Sequence, residues 1–385
     1  MHVRSALLFI LLAQAQGRPA FEPADGDRVA LIGNTFIERD LRHNALEELL
    51  TLRYKDRTLT FRNLGWSGDT VWGQARAGFG TAQDGFNHLT RHVADLKPNV
   101  VFLAYGMNES FEGEKGLPRF LEGLDRLLDM LEAARARIVL ISPIRHEDLG
   151  RPLPDPAGHN RDLRLYIDAM ARAAAKRGHA FVDLYELLGT GTKEEPLTDN
   201  GIHLNARGYR RAAAAIEKGL GLAPRAWRIE IDSLGQAKTA GVALEDTKAS
   251  TTSILFTARD ETLPFDEERL LRVTSLNAGL YTLKIDGQAI VTATESQWRG
   301  GLAISKGPAH DQAARLRQAI LEKNFQYFNR WRPQNETYIF GFRKKEQGHL
   351  APEFPQFDPI VAEKEAEIAK LRVPVFHTFV LEHEK

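Results

Sequence analysis

The stretch from Asn99 to Tyr105 is a nearly continuous apolar run, and it constrains the fold more than any other part of the chain. A strand apolar on both faces must be covered on both faces, the condition met in a parallel sheet between layers of helices. Shorter apolar runs at Arg28 to Ile32, Leu59 to Asn63, Arg137 to Ser142 and Ala180 to Asp183 read as its companions. Between them, Ala45 to Leu52, Phe86 to Leu96, Gly116 to Ala134, Leu163 to Lys176 and Asn205 to Leu220 read as helices. This alternation predicts an α/β domain with a central parallel sheet. In such sheets ligands meet the loops beyond the carboxyl ends of the strands. Chemistry is therefore expected in Gly33 to Thr35, Gly65 to Thr70, Gly106 to Glu109, Ile144 to Asp148 and Asp199 to His203.

With 385 residues the chain exceeds that one domain. After Pro224 its character changes. Arg228 to Ile231, Ser253 to Thr257, Leu270 to Ser275 and Tyr281 to Ile285 read as strands, and Asp286-Gly287 is a hairpin turn. Helical patterning returns from Asp311 to Phe328 and from Val361 to Leu371, and Val375 to Glu382 reads as a returning strand. The expected plan is a first domain over 24–222 and a small antiparallel, β-sandwich-like unit over 226–385. The strands of that unit occupy about 226–305 and 374–383, around a helical insertion at 309–372.

Lysine plus arginine (51) balances aspartate plus glutamate (51), with no long run of one sign, so nothing points to nucleic acid or an anionic membrane as partner. The absence of cysteine excludes a disulfide framework, a cysteine nucleophile and a thiolate metal site. Met1-His2-Val3-Arg4, the apolar run Ala6 to Leu12 and Ala13-Gln14-Ala15 read as an export signal cleaved near Ala15. A secreted or periplasmic protein, free of the membrane once the signal is removed, is the expectation. There is no dinucleotide glycine fingerprint, phosphate loop or His-Glu-x-x-His pattern, so neither cofactor nor metal is expected.

Four of the post-strand loops together resemble the SGNH (GDSL-like) hydrolase superfamily, whose members cleave acyl esters and related bonds. Gly33-Asn34-Thr35 aligns with the family's Gly-Asp-Ser block, and Asn63 to Thr70 resembles its second block closely. Gly106-Met107-Asn108-Glu109 matches Gly-x-Asn-Asp, and Asn200-Gly201-Ile202-His203 matches Asp-Gly-Ile-His. The resemblance covers about residues 24 to 222 and implies a flavodoxin-like three-layer fold. It also implies that residue 35 is the nucleophile and His203 the base, with an oxyanion hole of the Thr35 and Gly68 backbone N–H groups and the Asn108 amide. Asn34, Trp66 and Glu109 are expected at the substrate site.

Three positions depart from the family pattern. Thr35 replaces serine, adding a methyl that restricts rotation. Asn200 replaces the aspartate that orients the histidine, with Asp199 adjacent as a substitute, and Asn34 replaces a supporting aspartate. Ser67 reads as a turn residue rather than a second nucleophile. Trp72 reads as a wedge between helix and sheet, whereas Trp66 suits either packing or stacking on substrate. His146-Glu147-Asp148 reads as a solvated loop, not a metal site. In the segment Phe328 to Glu336, Arg330 and Arg332 either recognise an acidic sugar or glue the insertion to the first domain. Two functions are consistent with these residues. One is an extracytoplasmic hydrolase of carboxylic esters, with a small molecule or acylated glycan as substrate. The other is a catalytically inactive glycan- or partner-binding protein on the same fold.

Overall fold

The structure is a computed structural model that describes residues 21–346 and 350–384; the expected export signal falls in residues 1–20, outside them. Strands β1 (Arg28–Gly33), β2 (Thr60–Asn63), β3 (Val100–Ala104), β4 (Arg137–Ile141) and β5 (Ala180–Val182) form one parallel sheet in the order β2-β1-β3-β4-β5. Helices α1 (Thr35–Arg39), α2 (Ala45–Arg53), α3 (Ala82–Leu96), α4 (Leu117–Ala133), α5 (Ala157–Arg177), α6 (Leu184–Leu188) and α7 (Ala206–Gly219) accompany it. The apolar run of β3 divides as its pleat requires. Val100, Phe102 and Ala104 join α2, α6 and α7 in one core, while Val101, Leu103 and Tyr105 join α3, α4 and α5 in the other. The three-layer α/β fold read from the sequence is the fold observed.

The remaining strands are β6 (Trp227–Asp232), β7 (Ala237–Ala240), β8 (Val242–Ala249), β9 (Ser253–Asp260), β10 (Arg269–Thr274), β11 (Leu280–Ile285), β12 (Gln288–Thr294), β13 (Leu302–Ala303) and β14 (Phe376–His383). They make two sheets, β13-β10-β6-β7 and β12-β11-β14-β9-β8, which share a core containing Ile229, Val273, Phe256, Tyr281 and Trp298. This unit is not wholly antiparallel: β6 and β10 pair in parallel, because the chain visits the other sheet between them and re-enters from the same end. The β11–β12 hairpin turns on Asp286 and Gly287, both at positive φ, which matches the right-handed twist of the paired strands.

Between β13 and β14 the chain adds α9 (Pro308–Trp331), α10 (Glu336–Ile339) and α11 (Phe357–Leu371); the short α8 (Glu295–Gly300) precedes β13. Helix α9 lies over α2 and the edge strand β2, burying Leu316 and Ile320 in one core and Tyr327 and Trp331 in the other. This covers a strand edge that would otherwise offer unpaired backbone groups. Polar contacts fix the position. Lys323 Nζ is 2.7 Å from Glu47 Oε1, Asn324 donates to Glu47 and Asn44, and Arg317 grips both oxygens of Glu48 at 2.8 and 3.0 Å. These partners explain why α2 tolerates two buried glutamates. Among the described residues, no helix is long and apolar enough to cross a membrane.

Candidate active site

The nucleophile position is set by the end of β1. A Cβ on Gly33 would meet the Ala104 carbonyl oxygen at 2.4 Å, so only glycine lets β1 lie this close to β3 there. The carboxamide oxygen of buried Asn34 accepts the Phe36 N–H at 3.1 Å and caps α1. Thr35 thereby opens the helix, where a backbone N–H has no intrahelical partner. Asn34 therefore acts as a cap; its amide lines the cavity wall without being freed for a ligand by its oxygen. Gly68 donates its N–H to Thr35 Oγ1 at 3.0 Å. Its φ of +76° explains the glycine, since the space beside its Cα is open.

A buried polar brace stands behind Gly68 and Asn108. Asp69 Oδ2 accepts from Arg76 Nε at 2.6 Å and from Tyr105 OH at 2.9 Å, and Arg76 Nη2 donates to the Leu64 carbonyl at 2.7 Å. The Asn108 amide donates to the Asp69 carbonyl at 2.7 Å, which leaves its second N–H. Glu109 accepts the backbone N–H groups of Val71 and Gly106, both at 2.9 Å. Burial pushes its carboxyl up to about 7. Glu109 thus ties two loops together and does not line the cavity that holds Thr35 and His203, apart from the substrate contact expected for it. Arg76 and Tyr105 were not singled out in the sequence; no periodicity marks them, and the pairing is visible only in three dimensions.

The histidine loop is anchored from below by Glu147, which accepts from Gly191 N–H at 2.7 Å and from the Thr198 N–H and hydroxyl at 2.9 and 2.6 Å. The expectation of a solvated loop at 146–148 is corrected for His146 and Glu147, which are both buried, Glu147 to serve this anchoring, while Asp148 is exposed. His146 Nδ1 lies 3.0 Å from His159 Nδ1, and His159 Nε2 lies 2.8 Å from Ser110 Oγ. Among the described residues no group of His, Asp and Glu side chains is arranged to hold a metal.

Asn200 determines how His203 is presented. Its Oδ1 accepts the backbone N–H groups of Ile202 and His203 at 3.3 and 3.0 Å. That orientation places Nδ2 3.2 Å from His203 Nδ1. An amide nitrogen only donates, so Nδ1 is the acceptor and the proton of the neutral ring sits on Nε2. Burial, and then the Arg39 charge, hold the His203 pKa below its ordinary 6.5, with Asp199 opposing. Asp199 does not take the orienting role: its carboxylate is bound to Arg39 Nη2 at 2.9 Å, and only its backbone N–H meets the His203 carbonyl.

Thr35, Asn108 and His203 line one cavity of about 30 Å³, together with Phe36, Met107, Ile144 and Ile202. Trp66, Arg330 and Arg332 lie outside that lining. Trp66 packs edge-on against His88 and Trp331, with the Arg332 guanidinium 3.5 Å above its ring. Arg332 pairs with Glu38 at 3.2 Å and Arg330 with Asp358 at 3.0 Å, so both are spent on packing and ion pairs. Ser67 is exposed, and its N–H is taken by Glu38.

A doubly covered parallel sheet with a threonine hydroxyl, an oxyanion-type amide and a histidine at its carboxyl end defines an acyl hydrolase architecture. Residues 32–211 match the model of the GDSL-like Lipase/Acylhydrolase family. The whole arrangement, sandwich and insertion included, is shared with BT4096, a gut microbial diltiazem-metabolizing enzyme, at 18% identity and a TM-score of 0.74 over 95% of this chain and 99% of that one. About half of the chain aligns with LAE5, an alpha/beta hydrolase enzyme from the metagenome of Lake Arreo, Spain (21% identity, 51% of this chain, 96% of that chain, TM-score 0.41). A similar part aligns with Axe2, an acetylxylan esterase from Geobacillus stearothermophilus (18% identity, 52% of this chain, 96% of that chain, TM-score 0.41). No curated protein matches the sequence.

Proposed function

We propose that this protein is an exported hydrolase of short-acyl carboxylic esters, with Thr35 as nucleophile, and that its acyl groups are carried on carbohydrate. The observation that carries the reading is the convergence of Thr35, Asn108 and His203 on one small, mostly apolar cavity. A volume of about 30 Å³ holds roughly two water-sized groups, which suits an acetyl or propionyl chain and not a long one. Export and the appended β sandwich favour carbohydrate as the carrier.

In this mechanism Thr35 Oγ1 bonds to the acyl carbon while its proton passes to His203 Nε2. The oxyanion meets the Thr35 and Gly68 N–H groups and the Asn108 amide. The bond to the alcohol oxygen then breaks, and the alcohol leaves with the proton held by His203. Water repeats the sequence on the acyl-threonine, releasing the carboxylic acid and restoring Thr35. Each proton abstraction, from Thr35 and later from water, needs a bare Nε2, so the neutral ring must first shift its proton to Nδ1, opposite the donating amide of Asn200. The analogous aspartate-to-asparagine change in a serine protease costs ~10⁴ in turnover, so a slow hydrolase is expected.

Hydrolysis of short-chain aryl acetates by the mature protein, beside Thr35→Ala and His203→Ala, tests this. Turnover lost in both variants supports the assignment. Turnover equal to theirs removes it.

A further inference from the structure

The hydrogen bonds around the cavity have a direction, and it is nearly uniform. The Ser142 hydroxyl donates to the Pro143 carbonyl and accepts from the Tyr185 N–H, and the Tyr105 hydroxyl is spent on Asp69. The Asn34 oxygen is spent on Phe36. The donors that remain are the Thr35 hydroxyl proton, because its oxygen already takes the Gly68 N–H, the second Asn108 N–H, the Asn34 Nδ2 group and the His203 Nε2–H, set against the Asn108 Oδ1 acceptor. No residue lining the cavity carries a carboxylate, and the Arg39 guanidinium lies close enough to depress His203. The rest of the wall is apolar: Phe36, Met107, Pro143, Ile144 and Ile202.

We infer that the resting cavity is a receptor for a short-chain carboxylate, held by the Thr35 hydroxyl, the Asn108 amide and the Nε2–H of His203, with Asn200 as the residue that makes it one. Three residues with a free donor line the one cavity where an anion would sit, and a small apolar wall receives its alkyl end. A base-type histidine would instead aim a lone pair at the anion and repel it. Asn200 thereby trades turnover for anion binding through one hydrogen bond of fixed polarity. The inference uses the pocket assigned above to acyl hydrolysis, but it does not depend on turnover.

One substitution moves the two properties in opposite directions. Asn200→Asp keeps an oxygen for the Ile202 and His203 N–H groups, so the loop is retained. It also gives His203 Nδ1 a partner that only accepts, which strips Nε2 of its proton. The experiment titrates the full-length mature protein with sodium acetate and sodium butyrate at about pH 8.5, where an imidazole is neutral. It follows the ¹⁵N-labelled His203 ring by NMR, with acetamide as the uncharged control. The expected result is an Nε2–H ring in the free protein and saturable binding of acetate but not acetamide. Binding should be weakened at least about tenfold in Asn200→Asp, as for loss of a hydrogen bond to a charged group, while aryl acetate hydrolysis by that variant rises. An Nδ1–H ring in the free protein, no saturable acetate binding, or equal binding by the variant overturns the inference. Acetate binding with no hydrolysis by either form leaves it standing and removes the hydrolase reading instead.

Discussion

Gly68 and Asn108 stand on loops braced by buried charge, whereas Thr35 and His203 meet neutral amides. Behind the first pair, the Asp69 carboxylate is held by a guanidinium and a phenol, all three fully enclosed, and Glu109 stitches the two loops together. Behind the second pair, the positions where the family pattern has aspartate are Asn34 and Asn200. One caps a five-residue helix and the other donates to the imidazole. The half of the site that stabilises charge is thus kept rigid, while the half that moves protons has lost its carboxylates. On the proposed mechanism rate control would lie in the second half, because the oxyanion-type pocket persists while His203 Nδ1 faces a donor.

The contrast breaks most visibly at the brace. Arg76→Met leaves the Asp69 carboxylate enclosed without its cation, a change that typically costs about 3–5 kcal/mol. Urea unfolding should show a loss of that order. A loss below about 1 kcal/mol would mean the brace is no stiffer than the amide half. A smaller effect is expected at Asn108, whose amide faces the cavity. Asn108→Ala should lower kcat/KM on an aryl acetate by ~10²–10³, or about 2.7–4 kcal/mol of transition-state stabilisation. If the rate is unchanged, the charge-stabilising half is unused in turnover and the comparison loses its meaning.

Much of this arrangement is legible in the sequence, for a physical reason. A strand covered on both faces must be apolar throughout, so β3 and β4 announce themselves, and topology then places the chemistry in the loops that follow. Exposed strands such as Ala237–Ala240 carry no such signature, and β7, β8 and β13 leave no mark in the sequence pattern. Within the site, Thr35, Gly68, Asn108, Asn200 and His203 are readable because their types and spacing carry the chemistry. The structural part played by Glu109 is not legible, because its partners are backbone N–H groups, which any residue supplies. Trp66, Arg330 and Arg332 were open between packing and recognition, since the sequence does not say that α9 folds back over β2 and brings an arginine to the tryptophan ring. The tautomer of His203 is likewise invisible in the letters. Asparagine at 200 has an acceptor and a donor, and only the two backbone N–H groups on its oxygen decide which one the histidine meets.

The smallest expected effect concerns what surrounds that histidine. As a base His203 acts only when neutral, so the rate of hydrolysis should rise with pH through its pKa. Burial and the Arg39 charge both lower that pKa, which places the acid limb of the pH–rate profile below 6.5. Arg39→Gln removes the positive charge and releases Asp199, whose negative charge acts in the opposite sense, so the limb should move to higher pH. The plateau should stay where it is, because Asn200 still faces Nδ1. A plateau that rises instead would show Asp199 swinging onto the imidazole once Arg39 lets go, making the proton-transfer half repairable from a neighbouring residue. A limb that does not move would show that the titrating group is not His203, and would detach the proton-transfer half from this histidine altogether.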